Sequence, residues 1–173
     1  MDHNESILRQ SWERLLAQYV SGKVILLNEK DLEVVLQEIL QELTKEQGVK
    51  LEVVRQETRR GKIIDLRIGE IHSCILLQLK LYRDKVDWKE IPSMTNTVES
   101  DLNFAKGSDD IYVAVIDTIP STTRLQLPFH LNWQTIEIDE QVFDREYSRI
   151  HPKTSQPRER QQKVLLVKGS EIL

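Results

Sequence analysis

The stretch 62–82, KIIDLRIGEIHSCILLQLKLY, decides how this sequence is interpreted. Apolar and polar residues alternate on both sides of Gly69-Glu70, a pattern typical of two half-buried β-strands joined in a hairpin. Alternation places Asp65 in the first strand and Gln78 and Lys80 in the second on a shared face near the middle of a sheet. The opposite face receives the apolar residues Ile64, Leu66, Ile68, Leu77, Leu79 and Leu81. Because a buried charge is costly without a partner, these polar residues are candidates for a functional site.

The segments around this hairpin predict an α/β protein. Apolar periodicity predicts helices over 5–20, from about 28–31 to before Gly48, and over about 93–106, and it predicts further strands over 51–57 and 111–116. Residues 119–173 form an extension, with short strands expected over 125–129, 135–138 and 164–167. The extension contains a basic run, interpreted as a surface loop or as a phosphate-contacting arm: Arg145, Arg149, Lys153, Arg158, Arg160 and Lys163.

The sequence resembles the core motif of the PD-(D/E)xK nuclease superfamily, with Asp65 followed, after a dozen residues, by Gln78-Leu79-Lys80. The Gln-x-Lys form is similar to the Mrr-like restriction endonuclease branch. The resemblance covers about residues 31–118, and it implies a single domain with a restriction-endonuclease-like fold, a mixed central β-sheet flanked by helices. Two positions depart from the pattern: Ile64 stands where the family has Pro, and Gln78 replaces an acid.

The resemblance also implies a metal site. Asp65 would be the principal ligand of Mg²⁺ or Mn²⁺, assisted by the backbone carbonyl of Leu79 and by the side chain of Gln78 or Glu42. The family carries an acidic residue on the helix before the first strand. Glu42 is preferred there because it lies at the edge of the apolar stripe, while Glu38 lies further round the helix.

The implied function is metal-dependent phosphodiester cleavage, endonuclease-like, in nucleic acid, with DNA as the expected substrate. Lys80 would orient the attacking water and stabilise the transition state. A second hypothesis is a catalytically inactive nuclease-fold protein that acts as an accessory or regulatory binding module of a mobile-element or restriction system. A third is an unrelated α/β interaction domain in which Asp65 and Lys80 form a cross-strand ion pair.

The composition sets broad limits on these hypotheses. The chain has 173 residues, with 30% charged and 39% hydrophobic residues, and a net charge of −4 gives no global basic field. A single cysteine, Cys74, excludes an internal disulfide and a cysteine-based zinc site. No signal peptide and no apolar run of about 20 residues is recognisable, so we expect a cytoplasmic protein without a membrane partner. Cleavage of a duplex by one domain would favour a homodimer.

Overall fold

A computed structural model describes residues 2–82, 91–123, 125–148 and 158–173. The helices are α1 (His3–Ser21), α2 (Glu29–Glu46), α3 (Ile91–Ala105), α4 (Pro120–Thr123) and α5 (Glu140–Glu146). The strands are β1 (Val53–Arg59), β2 (Lys62–Glu70), β3 (Ser73–Tyr82), β4 (Ile111–Asp117), β5 (Gln134–Glu137) and β6 (Gln161–Lys168). Within the described ranges, no helix is both long enough and apolar enough to cross a membrane.

The strands form one six-stranded sheet in the order β1-β2-β3-β4-β6-β5. Strands β3 and β4 are parallel, and the other neighbouring pairs are antiparallel. Parallel neighbours require a crossover connection, and α3 lies in the connection from β3 to β4. The expected α/β fold class, a mixed sheet flanked by helices, is therefore confirmed.

A layer of apolar packing lies on each face of the sheet. On one face, α1 and α2 pack against β3 and β4 through a large cluster that includes Leu8, Trp12, Leu36 and Leu40. On the other face, Val98, Leu102 and Ala105 of α3 form a second cluster with residues of β3, β4 and β6. Strand β4 lies between the two layers and is buried along its whole length, as its β-branched sequence predicts.

The β1–β2 hairpin bends sharply at Asp65. Ile64 packs in the α3-side cluster, whereas Leu66 packs with α1 and α2, so two residues that a straight strand would place on one face lie on opposite faces. Beyond the bend, Arg59 of β1 lies opposite Lys62 of β2 in the strand register. The Nη2 atom of Arg59 donates to the carbonyl of Ile71 at 3.1 Å. A straight strand would hold residues 62 and 71 roughly 30 Å apart. The hairpin therefore folds back over the α3 face.

The bend overturns part of the predicted pattern of faces. The expectation that Ile64, Leu66 and Ile68 share a face is wrong, because alternation persists only where the backbone stays extended. The ladder of β1 with β2 skips the position where Gln56 faces Asp65, and Gln56 has a φ of +55°. A left-handed residue at that point interrupts the alternation in both strands.

Several expected boundaries also change. The β2–β3 turn lies at 71–72, so Gly69-Glu70 belong to β2 and do not form the turn. Residues 125–129 do not form a strand, and α5 was not predicted. Of the basic run, Arg149 and Lys153 lie outside the described residues. Arg158 is buried, with Nη1 donating to the Leu26 carbonyl at 2.6 Å, and Lys163 belongs to β6.

Candidate active site

Asp65 lies in a gap between two strands. The pairing of β2 with β3 ends at Leu66 and Leu77, and beyond that point side chains replace the ladder bonds. Asp65 Oδ2 accepts a hydrogen bond from the Leu79 N–H at 2.7 Å. Because the N–H and C=O of one strand residue point to the same neighbouring strand, the Leu79 carbonyl also faces this gap. The bend and the separation of the strands thus give Asp65 a position that strict alternation does not predict.

Gln78 closes the same gap. Its Nε2 donates to the Ile63 carbonyl at 3.0 Å, and its Oε1 accepts from the Asp65 N–H at 3.4 Å. The side chain is 3% exposed. Both ends of the amide therefore satisfy backbone groups that the bend removes from the ladder, which is the usual requirement for buried polar atoms. The structure assigns Gln78 this bridging position beside Asp65.

A cavity of about 510 Å³ opens on the α2 side of the gap. Its lining combines the first turns of α2 with the bent part of the hairpin: Glu29, Lys30, Glu33, Arg55, Gln56, Asp65 and Leu79. Asn28 caps α2 by accepting from the Asp31 N–H at 2.9 Å, which fixes the start of the helix beside the cavity. The cavity is therefore walled by two ordered elements.

Glu33 is one of three carboxylates that line the cavity, with Asp65 and Glu29, and it is 6% exposed. Arg55 Nε donates to Glu33 Oε1 at 2.7 Å. Gln56 Nε2 donates to Glu33 Oε2 at 3.0 Å and to Asp65 Oδ1 at 3.4 Å. One amide nitrogen thus joins the two carboxylates, so Glu33 of α2 and Asp65 of β2 face one point in the cavity.

The surroundings of Asp65 disfavour its ionised form. Burial raises the pKa of Asp65 to about 6, and the negative charges of Glu33 and Glu29 act in the same direction. The Leu79 N–H and the Lys80 ammonium oppose this shift by lowering the pKa. A positive charge that enters the cavity would stabilise the ionised form of Asp65. Raised carboxyl pKa values of this kind are concentrated at functional sites.

Lys80 lies on the α3 face of the sheet, in register with Val115. Its Nζ atom is 3.5 Å from Oδ2 of Asp101, a buried residue of α3, and Lys62 contacts Oδ1 of the same carboxylate. The structure therefore brings Asp65, Gln78 and Leu79 together, while Lys80 acts on Asp65 electrostatically. The expectation that Asp65, Gln78 and Lys80 share one face is therefore wrong for Lys80, because Asp65 lines the cavity on the α2 side whereas Lys80 lies on the α3 face.

The structure does not place Glu42, the preferred acid on α2, in the cavity lining. Glu42 is exposed and lies near Arg14 of α1, and its negative charge helps to raise the pKa of the Arg14 guanidinium. It also lies roughly 13 Å further along the helix axis than Glu33, at the usual rise per residue. Glu38 is likewise exposed. Sequence reasoning missed Glu33, although its spacing of three and seven residues from the buried Leu36 and Leu40 places it on the inward stripe.

The donor atoms of the cavity fit a hard divalent cation in kind. Asp65 and Glu33 supply carboxylate oxygens and Leu79 supplies a carbonyl, the ligand types that Mg²⁺ and Mn²⁺ take. Among the residues that the structure describes, no group of three His, Cys, Asp or Glu side chains could hold a metal. A cation here would therefore keep several waters or take a further oxygen of another kind, as Mg²⁺ does in many protein sites.

The chain was compared with models of protein families, with curated proteins and with solved structures, and none of the three comparisons found a match.

Proposed function

We propose that this protein is a metal-dependent phosphodiesterase with endonuclease-like action on nucleic acid, with DNA as its substrate. The observation that carries the proposal is the break in the sheet at Asp65. There a carboxylate with a raised pKa meets Glu33 in an open cavity, and the strand that contacts it carries Lys80 immediately after Leu79. This combination of acids and a lysine is suited to a reaction in which a phosphoryl group gains negative charge.

The sheet supports the proposed relation to PD-(D/E)xK nucleases. The order helix, three antiparallel strands, helix and a parallel strand agrees with the core that this family's motif implies, and Asp65 and Gln78-Leu79-Lys80 fall on the second and third strands. The fold alone does not specify a function, so the proposed activity depends on the chemistry of the cavity.

Each side chain has a distinct role in the proposed reaction. Asp65 and Glu33 would hold Mg²⁺ or Mn²⁺ beside the Leu79 carbonyl, and the cation would lower the pKa of a bound water and offset phosphoryl charge. Arg55 neutralises one oxygen of Glu33 and leaves the other facing Asp65. Lys80 stabilises the charge that develops when the water oxygen bonds to phosphorus and the ester oxygen departs. Gln78 positions Asp65 through its contacts with the β2 backbone.

Cleavage of labelled single- and double-stranded DNA in Mg²⁺ or Mn²⁺ tests the proposal. Wild type should cut, and Asp65→Ala should reduce cleavage by a factor on the order of 10² or more. Glu42→Ala is the matched control, because it removes an exposed carboxylate of α2 outside the cavity and should leave cleavage unchanged. Failure of the wild type to cut DNA or RNA with either metal would refute the enzymatic proposal. A nucleic-acid substrate agrees with the cytoplasmic location expected from the sequence.

One observation favours the second hypothesis, a catalytically inactive binding module of a mobile-element or restriction system. Lys80 is held by the buried Asp101 on the α3 face, away from the cavity lining. A nuclease-fold protein that had lost catalysis could keep this ion pair for stability alone. This alternative predicts nucleic-acid binding that does not depend on metal, together with no cleavage, and the same assay distinguishes it.

A further inference from the structure

Gln56 has an unusual backbone for its place in the chain. It lies within β1, yet its φ is +55°, in the left-handed region that residues with a side chain seldom adopt. Arg55 and Glu57 on either side keep their ladder positions opposite β2. The local distortion turns one side chain, that of Gln56, towards the cavity.

The amide of Gln56 occupies the point where the two carboxylates meet. Its Nε2 is 3.0 Å from Glu33 Oε2 and 3.4 Å from Asp65 Oδ1. Glu33 Oε1 is already bound by Arg55 and Asp65 Oδ2 by the Leu79 N–H, at 2.7 Å each. The remaining carboxylate oxygens therefore face the amide of Gln56, and this amide is their shared partner.

A side-chain amide has a donor at one end and an acceptor at the other. A half-turn of the Gln56 amide would place Oε1 where Nε2 now lies. Without a cation, that half-turn brings an oxygen against two carboxylate oxygens and is unfavourable. With a divalent cation among them, all three oxygens could serve as ligands, because a hard cation takes oxygen donors.

We infer that Gln56 is the third side-chain ligand of the cation proposed above. Its amide donates to Glu33 and Asp65 when the cation is absent and turns its oxygen inward when the cation binds. This inference rests on the proposed function. It gives the site a neutral third oxygen, which agrees with the finding that, in the described part of the chain, no three acidic, histidine or cysteine side chains are placed to hold a metal. Gln56 is exposed enough to turn, whereas the Gln78 amide is buried and bound at both ends.

Mn²⁺ titration of the full chain without nucleic acid tests this inference, with free Mn²⁺ measured by electron paramagnetic resonance. Gln56→Met keeps the length of the side chain and removes both amide atoms, so Kd for Mn²⁺ should rise on the order of tenfold. Gln56→Glu should lower Kd, because it supplies a charged oxygen in place of the neutral one. Gln41→Met, an exposed glutamine of α2, is the control and should bind Mn²⁺ as wild type does.

A second variant distinguishes weaker metal binding from loss of the fold. Gln56→Gly relieves the left-handed backbone strain and removes the side chain, so it should fold and should weaken Mn²⁺ binding as Gln56→Met does. Unchanged or tighter Mn²⁺ binding by Gln56→Met or Gln56→Gly would overturn the inference, because the amide would then be only a donor or an obstacle. If wild type itself bound Mn²⁺ no better than Asp65→Ala, the proposed metal site would fail together with the inference, so the two failures are distinguishable.

Discussion

Asp65→Asn should make the protein more stable at neutral pH. Burial holds the pKa of the native carboxyl near 6, against an ordinary value of 3.8. At 1.36 kcal/mol for each pKa unit, ionised Asp65 costs the native state up to about 3 kcal/mol. Asparagine keeps an oxygen that can accept from the Leu79 N–H and removes the charge. The same effect is common at functional sites, where a residue needed for activity reduces stability.

The pH dependence follows from the sign of the shift. A raised native pKa means that the folded state binds the Asp65 proton more tightly than the unfolded chain does. The favourable contribution of the protonated carboxyl is complete below about pH 3.8 and is lost as the pH rises through about 6. The advantage of Asp65→Asn over wild type should therefore grow from less than about 1 kcal/mol at pH 4 to about 3 kcal/mol at pH 7.5.

Urea denaturation between pH 4 and pH 7.5, in a chelator and without divalent metal, measures this advantage. Glu42→Gln is the matched control, because this exposed carboxylate should change the free energy of unfolding by less than about 0.5 kcal/mol at any pH. A variant Asp65→Asn that is no more stable than wild type at pH 7.5, or an advantage that does not vary with pH, would refute the argument from burial.

Three further predictions concern the residues around Asp65. Lys80→Ala should reduce metal-dependent cleavage by a factor on the order of 10² while nucleic-acid binding changes little; an equal loss in both would show that Lys80 acts in binding. Asp101→Asn leaves Lys62 and Lys80 without their shared carboxylate, so urea denaturation should show a loss of about 1–3 kcal/mol, and an unchanged midpoint would show that this ion pair contributes nothing. Glu33→Gln removes a negative charge that raises the pKa of Asp65, so an NMR titration should find that pKa lowered; a pKa that stays the same or rises would contradict the geometry.

The sequence predicts the frame of this fold well. The strands of the hairpin, the amphipathic α1 and α2 and the buried β4 each follow from patterns of apolar residues, and the structure contains all of these elements. Which face of a helix or strand is buried depends on the spacing of its apolar side chains, and that spacing can be seen in a single sequence. The fold class was predictable for that reason.

The bend at Asp65 was not predictable, because it depends on the backbone of Gln56. Glycine and asparagine are the residues that usually indicate a left-handed backbone in a sequence, and glutamine gives no such indication. Alternation therefore wrongly assigns Ile64 and Leu66 to one face. The position of Glu42 outside the cavity has a related reason: a helical wheel ranks positions around an axis but does not say which turn of α2 lies beside the break in the sheet.

The structure also changes the expectation for Gln78→Glu. The resemblance to the nuclease family implies an acid at this position, so a glutamate there is expected to restore a metal ligand and to strengthen metal binding. Because the buried Gln78 amide donates to the Ile63 carbonyl, a glutamate there cannot replace that donor. We therefore expect this variant to lower the urea midpoint, by about 1–3 kcal/mol in the free energy of unfolding. A midpoint equal to that of wild type would contradict this reasoning, because the Gln78 donor would then contribute nothing to stability.

The most direct test of the central claim, that Asp65 and Glu33 hold a divalent cation, is anomalous diffraction from crystals soaked in Mn²⁺. We predict an anomalous peak in the cavity between α2 and the bent hairpin, within roughly 2.5 Å of carboxylate oxygens of both residues. The peak should be absent in Asp65→Ala crystals soaked in the same way. A wild-type crystal that shows no peak in this cavity at millimolar Mn²⁺, or a peak that persists in Asp65→Ala, would contradict the account.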